Sequence, residues 1–278
     1  MSSILTNNSA MSALQTLQSI NKGLDQTQNR ISSGLKITSG KDNAAYFSIS
    51  ETMTGDSGMY KAIDESLTLM VNSVSTARLG SETIKDVAQE FAERVAFAQG
   101  GTAEVRADVQ AELDELVARI QTTISQSTFN GANLVSGSAT VTVVTGISRG
   151  SAGSVTTTTI TFNEQDLGAI LSTLSAIDLT TSSTTALMEA DLQTAEGALD
   201  AAIASATALG IAEKSIETQK EFLGALTDKL DSGVGSMVDA DMEEEAARLQ
   251  SLQVQQQLAT QSLSIANQAP QNILSLFR

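Results

Sequence analysis

Residues 60–98 read YKAIDESLTLMVNSVSTARLGSETIKDVAQEFAERVAFA. Within them apolar or small residues recur in steps of three and four: Tyr60, Ile63, Leu67, Met70, Val74, Ala77, Ser81, Ile84, Ala88, Phe91, Val95 and Ala98. That spacing is a heptad seam, the pattern of a helix packed lengthwise against other helices. Taken out to Ala44 and Gln99, a single helix would run roughly 80 Å at about 1.5 Å per residue, longer than a compact domain requires. Gly55, Gly58 and Gly80 lie inside it, each costing roughly 1 kcal/mol against alanine, so the helix depends on partner helices. The spacing predicts an elongated helical rod.

Composition agrees with a helical seam. Aromatic residues make up 3% of the 278 with no Trp, so burial must rest on Leu, Ile, Val, Met and Ala. The single proline, Pro270, leaves almost nothing to forbid long helices. A formal charge of −16 argues against phosphate neutralisation, so no nucleic acid is expected as a partner. Without His or Cys, the Ser-His-Asp, Cys-His, HExxH and zinc-cluster routes are closed, and no catalytic, cofactor-binding or metal residues are assigned. No run of 18 apolar residues occurs and residues 1–8 lack the charge and apolar core of a Sec-type signal, so neither a membrane span nor that export route is expected.

On the N-terminal side of the rod, residues 4–33 carry Ala10, Leu14, Leu17, Leu24 and Ile31 at seam spacing, with Asn21 and Gln28 where apolar residues would belong. Gly34 and Gly40 break this helix, and Asp42 or Asn43 can cap the next. On the C-terminal side, Gly100-Gly101 ends the rod helix and a second helix from Ala103 to Gln126 places Val109, Leu113, Leu116, Ile120 and Ile124 on one face. Residues 136–185 turn rich in Ser, Thr and Gly. Val141–Thr145 and Val155–Phe162 have strand composition around a Gly146–Gly153 turn, and a short helix is expected over Glu164–Ile177. The seam returns over 187–230, the natural partner of the first rod helix. Gly233 and Gly235 read as a hinge, followed by Asp239–Glu245 at the start of a last helix. That helix carries Leu249, Leu252, Ala259, Leu263, Ala266, Ile273 and Phe277, with Gln256 and Pro270 in the pattern.

Three local patterns carry no chemistry. Gly34–Lys41 is one residue too long for a phosphate loop, and Asp42 stands where Ser or Thr should hold magnesium. Ser33-x-x-Lys36 has no companion motifs. An EF-hand starting at Asp239 would have Glu244 in place of the turn glycine and Gln250 in place of the bidentate acid.

The fold class is therefore mainly α: an elongated antiparallel helical bundle or coiled-coil rod, with paired terminal helices and a small β-containing central insert. Three parts are expected: terminal helices at 1–40 plus 236–278, a rod at 41–137 plus 186–235, and an insert at 138–185. Each terminal helix buries little alone, but stacked copies would bury one continuous seam, as an open helical polymer does. Leu14, Leu17, Leu24, Ile31, Leu249, Leu252, Leu263, Ile273 and Phe277 are its assembly residues. Such helices lie near the nucleation threshold and are expected to be largely disordered in the monomer, folding only when neighbouring copies complete the seam.

Residues 30–50, RISSGLKITSGKDNAAYFSIS, resemble the N-terminal signature of bacterial flagellin through Arg30, Ser32, Ser33, Gly34 and Asp42. They depart from it at Gly40, Asn43 and Tyr46-Phe47. Phe129-Asn130-Gly131 resembles the F-N-G motif closing the N-terminal half, and 262–278, with Asn267 and Pro270, resembles the flagellin ending. The resemblance covers roughly 1–135 and 190–278. It implies a structural subunit, not an enzyme, that polymerises with itself and with sister flagellins into the extracellular flagellar filament for motility. It further implies passage through the flagellar export apparatus, a secretion chaperone on the C-terminal helix, and contact with filament cap and hook-junction proteins. A hook–filament junction protein of the same superfamily is the alternative; a secreted enzyme on a helical scaffold lacks the chemistry. Ala92 stands where family members sensed by the innate flagellin receptor typically present arginine, which implies weak recognition.

Overall fold

The computed structural model describes residues 7–150, 154–182 and 184–276, with side chains through Gln268. It is mainly helical: α1 (Asn8–Ser33), α2 (Ala44–Ala98), α3 (Ala103–Gln126), α4 (Leu167–Ser175), α5 (Thr185–Val238) and α6 (Met242–Leu276), with one two-stranded sheet of β1 (Thr140–Arg149) and β2 (Val155–Asn163). The chain divides into a unit of residues 1–57 and 228–278 and a unit of residues 58–227, with α2 and α5 contributing to both.

In the second unit the heptad seam of α2 is the buried face. Leu67, Val74, Ser81, Ile84, Ala88, Phe91 and Val95 are fully enclosed. The apolar ones meet Leu113 and Ile120 of α3 and Ala195, Ala202, Leu209 and Ile216 of α5 in one cluster. Both partners run antiparallel to α2. Arg94 and Arg119 pair with Glu112 and Glu90 across α2 and α3, and the Arg78 guanidinium joins Glu213 of α5 and Glu82 of its own helix. Those two carboxylates, Glu213 first, raise the Arg78 pKa above its ordinary value. α5 contains an 18-residue window of mean hydropathy 1.2, long and apolar enough by composition to cross a membrane. The window is no unbroken apolar run, and buried positions of α5 such as Ala195, Ala198, Ala202 and Leu209 belong to this core.

Gly80 of α2 lies directly against the residue that ends α3. A Cβ there would fall on the hydroxyl of Ser127, just past α3, whereas Gly55 and Gly58 have open space around them. Gly80→Ala is expected to lower the thermal midpoint by forcing these elements apart. Gly55→Ala and Gly58→Ala are each expected to raise stability by about 1 kcal/mol through helix propensity. Thermal unfolding of the three variants checks this pair of opposite signs.

The insert departs from expectation. β1 does not stop at Thr145 but continues to Arg149 past an irregularity between Val144 and Gly146, pairing antiparallel with β2 throughout. Side chains anchor it: Tyr60 Oη donates to the Ile147 carbonyl (3.0 Å) and Gln219 Nε2 to the Thr145 carbonyl (3.0 Å). The short helix α4 is capped by Asp166, whose carboxylate accepts from the Ala169 amide. Val143, Leu167, Ile170, Leu174, Ile177 and Leu179 all enter the core shared with α2, α3 and α5. Residues 138–185 therefore lie outside the heptad seams without lying outside the core.

The glycine hinge is also corrected. Gly233 and Gly235 sit inside α5, which runs on to Val238. A glycine costs only about 1 kcal/mol in a helix, and an already long helix absorbs that. The break falls at 239–241, where Asp241 caps α6 by accepting from the Glu243 and Glu244 amides.

Candidate assembly site

The terminal unit is built on α1 and α6, which pair antiparallel. Asn7 Nδ2 donates to the Ala266 carbonyl (2.8 Å) at one end, and Arg30 reaches Glu245 (2.9 Å) at the other. Each helix thus finds a partner within the chain. The polar interruptions Asn21 and Gln256 prove to be one pair: Gln256 Nε2 donates to Asn21 Oδ1 at 2.7 Å. A polar pair in an apolar seam satisfies itself only in one alignment, so it fixes register at some cost in stability. The sequence shows both residues but not that they meet.

Arg30 acts as a strap between the two helices. Its guanidinium donates to Oε1 of Glu245, whose side chain is 6% exposed, and Arg248 donates to the same oxygen at 3.3 Å. Glu245 and Arg248 escaped the sequence reading because the acids of 239–245 look alike until the fold buries one of them. Gly34 ends α1 at φ 72°, a left-handed conformation that suits glycine, and its amide donates to the Arg30 carbonyl. Ser33 Oγ accepts from the Leu35 amide, while Ser32 is exposed.

Of the two candidate caps for α2, Asn43 performs the task by accepting from the Ala45 and Tyr46 amides. Asp42 instead closes the preceding turn, where one carboxylate oxygen accepts from the amides and hydroxyls of Thr38 and Ser39. The Thr38 amide, then the Ser39 and Thr38 hydroxyls, hold its pKa below the ordinary 3.8. A depressed carboxylate contributes stability that is complete above its unfolded value and lost as pH falls through the folded one. The turn at residues 38–42 is therefore expected to loosen only below about pH 3.8. Asp42→Asn should abolish that dependence, read as amide exchange at Thr38 and Ser39 against pH.

The other signature residues are also placed. Phe129 pairs with Ala132 around a tight turn in which Asn130 (φ 49°) and Gly131 (φ 82°) are left-handed. Asn267 is exposed on α6, whose backbone continues through Pro270 to Leu276. Ala92 is 8% exposed within the helical core.

The expected assembly residues divide in two. Leu24 is buried, and Leu17, Ile31, Leu249, Leu252 and Leu263 are half-buried, all in this terminal unit. Leu14 remains 46% exposed. The Ile273 side chain and Phe277 lie outside the described residues. Pairing also leaves apolar side chains that sequence periodicity did not single out: Met11, Val254, Leu258 and Ile265 are each more than half exposed. Ala13, Ile20, Leu258 and Ala259 line a groove of about 760 Å³ between the helices. Two helices can enclose only one seam, so an apolar stripe wider than that must face another molecule or water.

A mainly helical chain whose two ends pair and still present an apolar surface has the form of a structural subunit. Residues 4–140 match the bacterial flagellin N-terminal helical region and residues 192–277 match the bacterial flagellin C-terminal helical region. The chain is 40% identical to a flagellin of Brucella melitensis, 38% to flagellin FljM of Caulobacter vibrioides and 33% to flagellin C of Rhizobium meliloti. Each alignment covers all of this chain and 99–100% of the relative. Among solved structures, a flagellar hook-associated protein of Vibrio parahaemolyticus shares the fold at TM-score 0.51 and 14% identity, covering 69% of this chain and 96% of that one. The chain belongs to the bacterial flagellin family and is a structural subunit of the flagellar filament.

Proposed function

We propose that the α1–α6 pair is the assembly element, and that copies polymerise by covering one another's terminal apolar stripes. The supporting observation is the exposure of Met11, Leu14, Val254, Leu258 and Ile265 after the two helices have packed. On this reading residues 1–40 plus 236–278 form the filament core, 41–137 plus 186–235 the rod around it, and 138–185 the outermost part. The protein works by binding rather than catalysis. It leaves the cell through the flagellar export apparatus, with a chaperone covering the C-terminal helix until export, and it meets hook-junction and cap proteins at the two ends of the extracellular filament.

Electron microscopy of the purified protein after salt addition tests the reading. Long filaments are expected from the intact chain. Short capped junctions would transfer the protein to the hook–filament junction, and monomers alone would remove the assembly role. Substitution of Leu258 and Ile265 by Ser should raise the concentration needed for polymerisation without lowering monomer helicity.

A further inference from the structure

Acidic residues outnumber basic ones 32 to 16, so copies of this chain repel one another unless their contacts are arranged by charge. Four of those bases, Lys22, Arg30, Lys36 and Lys41, line a single pocket of about 420 Å³ where the C-terminal half of α1 faces the segment before α2. Asp25 and Asp42 also line it, but Asp42 already accepts four hydrogen bonds from Thr38 and Ser39. Arg30 is held by Glu245, which Arg248 shares. Among the described residues no carboxylate lies within 4.0 Å of the Lys22, Lys36 or Lys41 ammonium. The lining is thus net positive in a strongly negative chain.

The pocket is also pre-shaped. The Lys36 amide donates to the Val238 carbonyl at 2.6 Å, and the Ala240 amide donates to the Gly34 carbonyl at 2.9 Å. These bonds tie the segment after α1 to the one before α6, so the lysine stems start from fixed backbone, which lowers the ordering cost of engaging a ligand.

We propose that this pocket receives surface carboxylates of a neighbouring copy, an inter-subunit contact that rests on the self-assembly reading above. The chain itself supplies the complementary charge in excess. Three lysines with no carboxylate partner among the described residues convert part of the repulsion between copies into attraction. Because the ammonium groups are solvent-exposed, the contact is screened by salt over a Debye length of about 10 Å at 0.1 M.

The test compares K22E/K36E/K41E with a control of equal charge change, K214E/K220E/K229E on α5, at low and high salt. Monomer circular dichroism is read for each. The pocket variant is expected to raise the critical concentration for polymerisation roughly tenfold more than the control at low salt, with the gap narrowing as salt rises. Equal effects of the two variants would reduce the result to net charge and overturn the proposal. Carbodiimide coupling of filaments grown from mixed unlabelled and ¹⁵N-labelled chains should link Lys22, Lys36 or Lys41 to a carboxylate of another copy. Links to Asp25 or Asp42 of the same chain alone would overturn it. So would saturable binding of tricarballylate to the monomer that filament formation does not displace, which would make the pocket a small-anion site. Failure of the unaltered chain to polymerise would instead remove the self-assembly reading.

Discussion

Removal of residues 245–278 is expected to abolish filament formation while leaving the thermal transition of the 58–227 unit almost unchanged. The two effects separate because the units bury very different amounts of apolar surface. Every member of the large buried cluster lies within 58–227. Among the described residues of α1 and α6 the buried apolar side chains are Leu24 and Ala259, each only just enclosed. At about 25 cal/mol per Å² the terminal pair gains little toward the backbone entropy of ordering helices of 26 and 35 residues, roughly 1–2 kcal/mol per residue. The deletion also removes Glu245 and Gln256, leaving Arg30 and Asn21 without their partners. Electron microscopy and calorimetry of the truncated chain check the two halves. Filaments from that chain would sink the assignment of the terminal helices. Mild proteolysis of the intact monomer should likewise trim both ends and leave a fragment containing 58–227, whereas the filament should resist.

The second large effect concerns the insert. From its position outside the heptads, replacement of 138–185 by a short Gly/Ser linker would be tolerated. The packing predicts the reverse. Leu167, Leu174 and Leu179 are at most 1% exposed, and Val143, Ile170 and Ile177 at most 5%. Burial of each such side chain is worth roughly 1.5–3 kcal/mol, so their joint loss is on the order of 10 kcal/mol, comparable with the whole stability of a typical domain. The replaced chain should lose its cooperative transition and bind a hydrophobic dye. Shortening only 148–157, where residues 148–150 and 154–157 are exposed, should keep both the transition and filament formation. An intact melting curve for the full replacement would show that α4 packs less tightly than its burial indicates.

Heptad periodicity made most of the helical unit legible because a buried helical stripe constrains residue type every three or four positions along a long element. Of the α2 seam from Leu67 to Ala98 every position but Met70 is buried, and the α3 face from Val109 to Ile124 is buried throughout. Signature glycines were legible for a related reason: Gly34 and Gly131 occupy left-handed conformations that other side chains rarely adopt. Gly233 and Gly235 misled because a glycine permits a break without requiring one.

The sequence by itself determined the fold class, the helical seams, the terminal signatures and the family, since all depend on residue types at fixed local spacing. Tertiary structure alone decided which polar residues meet and which loop residues are core. Asn21 and Gln256, or Arg30 and Glu245, are separated by more than two hundred positions and become partners only once α1 and α6 lie antiparallel in one register. No local pattern carries that register. The burial of α4 has the same cause: nine residues are too few to show a long-range seam, and their apolar face acquires meaning only from the helices it covers.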